Sequence, residues 1–213
     1  MFTAIAAFIV RARILERIPQ PRSPFLHAWL TVAAFLFLAA LIGLAWDIWA
    51  DWARETRYGR TSQPLGDWLG QHALGSALEI VLGGLLAAGL YALIRRAARR
   101  WWLGSGGLVA AVLTLVLLLS PTLIQPLFNE FRPLPEGPVR AALEAQAEAA
   151  GVPADRIFVY DGSRQSNNFT ANVSGVFGSA RIAISDVALK GADLDEVKAV
   201  TGHEIGHYVL GHV

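Results

Sequence analysis

The residues best suited to chemistry lie in "TGHEIGHYVLGHV", residues 201–213, where His203, Glu204 and His207 form the pattern H-E-x-x-H. On an α-helix the two histidines, four residues apart, share one face and can grip one ion. Glu204, beside His203, is placed to polarise a metal-bound water and not to bind the metal. Zinc in such a setting brings the pKa of a water to about 7 and polarises a carbonyl. The carboxylate takes the water's proton and delivers it to the leaving amine. The pattern therefore predicts one Zn2+ ion on His203 and His207, with Glu204 as the catalytic base. The 213 residues include no cysteine, so any metal must be held by histidine and carboxylate.

A catalytic zinc usually takes three protein ligands and a water. His212 lies nine residues after His203, about half a turn out of phase on a continuous helix. It is expected to point to the opposite side. In the longer pattern H-E-x-x-H-x-x-G-x-x-H the third histidine follows the second by six residues; here the offset is five and Gly211 falls out of place. The third ligand is expected outside these residues.

These side chains need a helix to carry them. "DLDEVKAVTGHEIGHYVLGHV" supplies it, with Asp193 as N-cap, Glu196 completing a capping box, and Leu194, Val197, Val200 and Ile205 on a buried face. Upstream, "EGPVRAALEAQAEAAGVP" reads as a helix stopped by Gly151 and Pro153. "RIFVYD" (156–161) and "ARIAIS" (180–185) read as strands, "GSRQSNN" as a polar loop, and "FTANVSGVFG" as an edge strand turning near Gly178 and Ser179. An edge strand beside the metal helix can hold a peptide as an added strand, because main-chain hydrogen bonds align it without reading side chains. Thr170, Ala171, Asn172 and Gly175 are the candidate substrate-binding positions on it.

The rest of the chain suits a membrane. It is 54% hydrophobic and 16% charged, with mean hydropathy +0.43, against about 25% charged residues in soluble domains. A net charge of +1 leaves no nucleic-acid footprint. Three apolar runs, at about 26–46, 73–94 and 103–124, are long enough to span a bilayer. Trp46, Trp49 and Trp52 follow the first, and Trp101 and Trp102 precede the third, as interfacial residues do. Met1–Val10 is too short to span, and its charges (Arg11, Arg13, Arg17) follow the apolar stretch, the wrong order for a signal peptide. Gly83, Gly84, Ala87, Ala88 and Gly89 give the second run a surface for close helix packing. Glu79 is its one carboxylate, placed toward an end of the run. The expected fold is thus an α-helical membrane protein with an α+β catalytic segment: a transmembrane region over 1–125, then a partial metallopeptidase domain over 126–213.

Five stretches resemble one family. They are "ETRYGRTSQPLGDWL", "SPTLIQPLFNEFRPLPEG", "RIFVYDGSRQSNNFTANVSG", "ARIAISDVAL" and "LDEVKAVTGHEIGHYVLGH". Together they resemble the membrane-embedded CAAX prenyl protease family of zinc metallopeptidases and its bacterial relatives. The resemblance implies an integral-membrane endopeptidase with an enclosed chamber. It implies zinc on His203, His207 and a glutamate of a later helix, with Glu204 as general base. That glutamate and the later spans have no counterpart here, so the chain is expected to be an N-terminal part, poorly active or inactive alone. The family often has asparagine where this chain has Thr170, which bears on substrate preference.

The expected partners are a peptide or protein substrate presented at or in the membrane, and the lipid bilayer. The Ala- and Arg-rich composition suggests a GC-rich bacterium and its inner membrane, where prenylated proteins are not expected. Arg11, Arg13, Arg17 and Arg22 precede the first span, and Arg95, Arg96, Arg99 and Arg100 lie between the second and third. The positive-inside rule puts both clusters in the cytoplasm and the catalytic segment outside. Arg54, Arg57 and Arg60 in the opposing loop weaken that count, and the family's catalytic part faces the cytosol, the orientation favoured here. Two rival readings remain. One is a non-catalytic membrane scaffold, or pseudoprotease, that retains the H-E-x-x-H helix. The other is a membrane metal-binding or transport protein, which requires polar ligands inside the spans, where only Glu79 qualifies.

Overall fold

The computed structural model describes residues 19, 21–175 and 180–212. The opening segment Met1–Val10, the arginines at 11, 13 and 17, and the turn at Gly178 and Ser179 lie outside the described residues. The chain divides into two compact units, Met1–Arg54 with Leu65–Leu115, and Glu55–Pro64 with Val116–Val213.

Three long helices begin in the first unit. Helix α1 (Pro24–Asp47) starts on Ser23, whose Oγ accepts from the Leu26 N–H at 3.4 Å, with proline in the first turn, where no N–H is needed. It runs on through a widened turn, Ile48–Ala53, to Arg57. Helix α2 spans Leu65–Ala97. Helix α3 (Trp101–Leu119) continues through a second widened turn at Ser120–Ile124, which contains Pro121, and reaches Phe128. Proline removes an intrahelical donor, and a wider turn accommodates the loss.

The three continuous helices Pro24–Arg57, Leu65–Ala97 and Trp101–Phe128, of 34, 33 and 28 residues, are long and apolar enough to cross a membrane. Phe37, Leu41, Trp46, Leu113, Leu115 and Leu117 are all more than half exposed. So much bare apolar surface fits hydrocarbon as the surrounding solvent. The small-residue surface of α2 is used as its sequence implies. Gly84 and Ala88 are buried, Gly83 and Gly84 lie against Leu36 and Trp29 of α1, and Gly89 lies against Leu108 of α3. The indole of Trp29 donates to the Val81 carbonyl at 3.3 Å. Glu79 is exposed on α2, which begins at Leu65, ahead of the apolar run.

The second unit is α+β. Its elements are β1 (Phe131–Pro133), α4 (Pro138–Ala149), β2 (Ile157–Tyr160), β3 (Ala171–Ser174), β4 (Arg181–Ser185), α5 (Val187–Gly191) and α6 (Leu194–Val209). The sheet order is β1-β2-β4-β3. Strands β2 and β4 are parallel, with Ile157 opposite Ile182, while β1 and β3 run antiparallel to their neighbours. Ile182, Ala183, Ile184 and Ser185 of β4 are all buried, as a central strand covered on both faces requires. Leu143 and Ala147 of α4 and Val197 and Ile205 of α6 close the core over Ile157, Val173, Ile182 and Ile184.

Two expectations for α6 need correction. Asp193 holds the N-cap position in extended backbone, but its side chain makes no capping bond, so the capping box with Glu196 does not form. Only the Asp193 carbonyl is used, accepting from the Val197 N–H at 3.0 Å. The buried stripe is Val197, Thr201 and Ile205, with Leu194 and Val200 half-buried at its margins. Spacing of four places the three on one line, with the Thr201 hydroxyl buried and without a hydrogen-bond partner among the described residues.

Candidate metal centre

The packing of α6 dictates what its histidines do. With Val197, Thr201 and Ile205 turned into the core, a helix at about 100° per residue carries residues 203 and 207 to the far side and residue 204 to the flank. His203 and His207 are exposed accordingly, and Glu204 is half-buried. The His203 Nε2 and His207 Nε2 atoms lie 2.9 Å apart, with ring planes at 89°. Two nitrogens on one tetrahedral zinc, each bonded at 2.0–2.1 Å, stand about 3.3 Å apart. The two imidazoles therefore fit a single ion after a displacement of a few tenths of an ångström. Among the described residues no side chain pairs with Glu204, and no group of three His, Asp or Glu side chains converges on one point.

His212 does not point away, because the helix is not continuous to that point. Gly211 adopts φ +67°. The His212 N–H donates to the His207 carbonyl at 3.0 Å and the Gly211 N–H to the Tyr208 carbonyl at 3.2 Å. These are the two bonds of a Schellman C-cap. The reversal brings His212 Nδ1 to 3.1 Å from His207 Nδ1. It meets the edge of the ring away from the Nε2 pair.

The candidate substrate strand is β3. It pairs with β4 on one side and has no strand on the other among the described residues. Helix α6 packs against it. Ala171 and Asn172 lie within it, Asn172 with a buried, unpartnered Oδ1. Gly175 follows it at φ +123°, and Thr170 precedes it. The Thr170 N–H donates to Ser185 Oγ at 3.1 Å, its carbonyl accepts from the Ser185 N–H at 2.9 Å, and its hydroxyl bonds the Tyr160 hydroxyl. Thr170 thus anchors the start of the strand.

The loop leading into β3 carries more structure than "GSRQSNN" suggests. Asp161 Oδ1 accepts from the Glu130 N–H at 2.8 Å and Asn129 Nδ2 at 3.2 Å, and Asn129 Nδ2 also reaches Gln165 Oε1 at 3.0 Å. The Ser163 N–H and Oγ–H donate to the two Asp186 oxygens at 2.8 and 2.6 Å, and Lys190 Nζ donates to Asp186 Oδ2 at 2.7 Å. Burial alone would raise the Asp186 carboxyl, but bonds from Lys190 and Ser163, with the Lys190 charge, hold it below the usual carboxylate range. Asn167 uses three groups. Its N–H donates to the Arg60 carbonyl at 2.7 Å, its Nδ2 to the Gly59 carbonyl at 2.9 Å, and its Oδ1 accepts from Ser62 at 3.0 Å. The signal was present as a run of Asp, Ser and Asn, residues that bond to nearby backbone, but the partners at 59–62 and 129–130 are distant in sequence.

His203 and His207, with Glu204 at their flank, lie on a helix packed against the edge strand β3, in a chain with three helices long and apolar enough to cross a membrane. Residues 2–130 match the family described as CAAX prenyl protease N-terminal, five membrane helices, and residues 133–213 match peptidase family M48. The chain belongs to this CAAX prenyl protease branch of the M48 peptidases. It is 27% identical to a CAAX prenyl protease 1 homolog of Arabidopsis thaliana, over 91% of this chain and 46% of the plant protein. It is 28% identical to the uncharacterised metalloprotease YhfN of Bacillus subtilis, over 87% and 44%. The crystal structure of S. mikatae Ste24p superposes with a TM-score of 0.80 at 26% identity, covering 87% of this chain and 44% of that one. The chain spans about half the length of the curated relatives it matches.

Proposed function

We propose that this chain carries the substrate-strand and first-ligand half of a zinc-dependent endopeptidase that cleaves peptides presented at or in a membrane. The observation that carries the reading is the 2.9 Å approach of His203 Nε2 to His207 Nε2 beside Glu204. His203 and His207 would hold one Zn2+ ion, which supplies a Lewis acid that polarises the scissile carbonyl and acidifies water. Glu204, which pairs with no side chain among the described residues, would accept the proton of the attacking water and pass it to the departing amine. The free edge of β3 holds the substrate main chain as an added strand, with Thr170, Ala171, Asn172 and Gly175 as its binding positions. The third ligand comes from sequence equivalent to the half of the relatives that this chain does not span.

In this reading residues 1–125 form the membrane region and 126–213 the first part of the metallopeptidase domain. The setting is the bacterial inner membrane with the catalytic side in the cytoplasm. Several relatives are named CAAX prenyl proteases while the Bacillus relative is named only a metalloprotease. The substrate class proposed is accordingly a membrane-presented peptide, prenylated or not.

The test is hydrolysis of an internally quenched, lipid-anchored peptide by the zinc-supplemented chain in detergent, beside Glu204→Gln. Slow turnover that falls roughly 100-fold or more in the variant supports the base assignment. Turnover unchanged in the variant refutes it.

A further inference from the structure

We infer that His212 is a positioning residue for the metal centre, holding His207 in the tautomer and orientation that leave Nε2 bare toward the ion. The inference rests on the proposed assignment of His203 and His207 as ligands.

A neutral imidazole has one N–H donor and one acceptor nitrogen. His207 Nδ1 and His212 Nδ1 are 3.1 Å apart, so one of them donates to the other. His207 Nε2 faces His203 Nε2 at 2.9 Å, the point where an ion would be shared. With an ion at Nε2, only the tautomer with the proton on His207 Nδ1 serves both ends. It donates to His212 and leaves the Nε2 lone pair free. The opposite tautomer puts a proton where the ion must bind. Ligating histidines commonly have the second nitrogen fixed this way, by a carboxylate, carbonyl or water; here the acceptor is a second imidazole.

The backbone builds the arrangement. Gly211 occupies the left-handed region at φ +67°, which disfavours any residue with a Cβ by about 1–2 kcal/mol. The reversal lets the His212 N–H bond the His207 carbonyl at 3.0 Å while the His212 ring bonds the His207 ring. The same residue is held at two points, so the helix cap and the ligand orientation are one structure. Direct ligation by His212 is a different geometry, since its nitrogen meets the edge of His207 that faces away from His203.

The test uses the 213-residue chain in detergent with His212→Ala and His212→Asn. Asparagine keeps an acceptor, Oδ1, as many bonds from Cα as histidine Nδ1. Zinc affinity is measured by competition with a chromophoric chelator. The tautomer of His207 in the metal-free chain is read from imidazole nitrogen resonances at pH 8. The alanine variant should weaken zinc binding roughly 10–100-fold and shift His207 toward the Nε2–H form. The asparagine variant should stay within about threefold of the wild type and retain the Nδ1–H form. An alanine variant unchanged in affinity and tautomer overturns the inference. Equal loss of zinc in both variants also overturns it, because His212 would then be a ligand itself. A wild-type chain that binds no zinc defeats the metal assignment instead, and the tautomer measurement, which needs no metal, still decides the role of His212.

Discussion

The side-chain amide of Asn167 donates to the carbonyl of Gly59 at 2.9 Å, across 108 residues of sequence. With its other two bonds, to Arg60 and Ser62, it ties the segment Gly59–Ser62 to the loop that enters β3. Both ends belong to the second compact unit. Exposed bonds of this kind are worth about 1 kcal/mol in sum once competition with water is counted. Asn167→Ala should therefore speed trypsin cleavage after Arg60 about fivefold, read as a fragment beginning at Thr61. Asn168→Ala, which leaves those bonds intact, serves as the control. Equal cleavage rates in wild type and Asn167→Ala would show that the two side-chain bonds are not what holds the segment.

Gly162 tests how tightly the same loop is packed. A Cβ built there would lie 2.7 Å from the Ser185 Cβ and 2.9 Å from the Tyr160 ring. Neither neighbour can retreat easily, since Tyr160 is in β2 and Ser185 in buried β4. Gly162→Ala should cost about 1–3 kcal/mol, as overpacking does. Thermal denaturation in detergent should show a loss of roughly 5 °C or more. An unchanged midpoint would mean the loop can shift without loss.

Asp186 gives the unit a dependence on acid. Its carboxyl is held below the ordinary range, so its stabilising contribution is complete above the unfolded carboxylate pKa of about 3.9. The contribution is lost as pH falls through the lower folded value. Asp186→Asn should be less stable than wild type by a constant margin from pH 8 to 5. That margin should close below about pH 4. A margin that persists at low pH would trace the effect to packing and not to the charge.

Much of this architecture was legible in the sequence. Uninterrupted apolar runs leave few alternatives to membrane-length helices, and "ARIAIS" could hardly be anything but a buried strand. The spacing of His203 and His207 fixed their common face. Other features depend on partners that the local pattern does not name. β1 is three residues long and ends in proline, and it exists because Phe131–Pro133 pairs with Tyr160–Phe158. Thr201 reads as polar, yet it lies on the buried line because the core registers on Val197 and Ile205. Helical phase gave the wrong direction for His212 because one backbone angle, at Gly211, ends the helix before the phase applies.

Zinc stoichiometry in four proteins shows whether His203 and His207 hold the ion: wild type, His203→Ala, His207→Ala and Glu204→Gln, each purified in detergent and titrated with zinc. One ion per wild-type chain is expected, held weakly because these residues bring only two ligands together. The same stoichiometry is expected in Glu204→Gln, and loss in both histidine variants. Zinc retained by His203→Ala and His207→Ala would contradict this expectation.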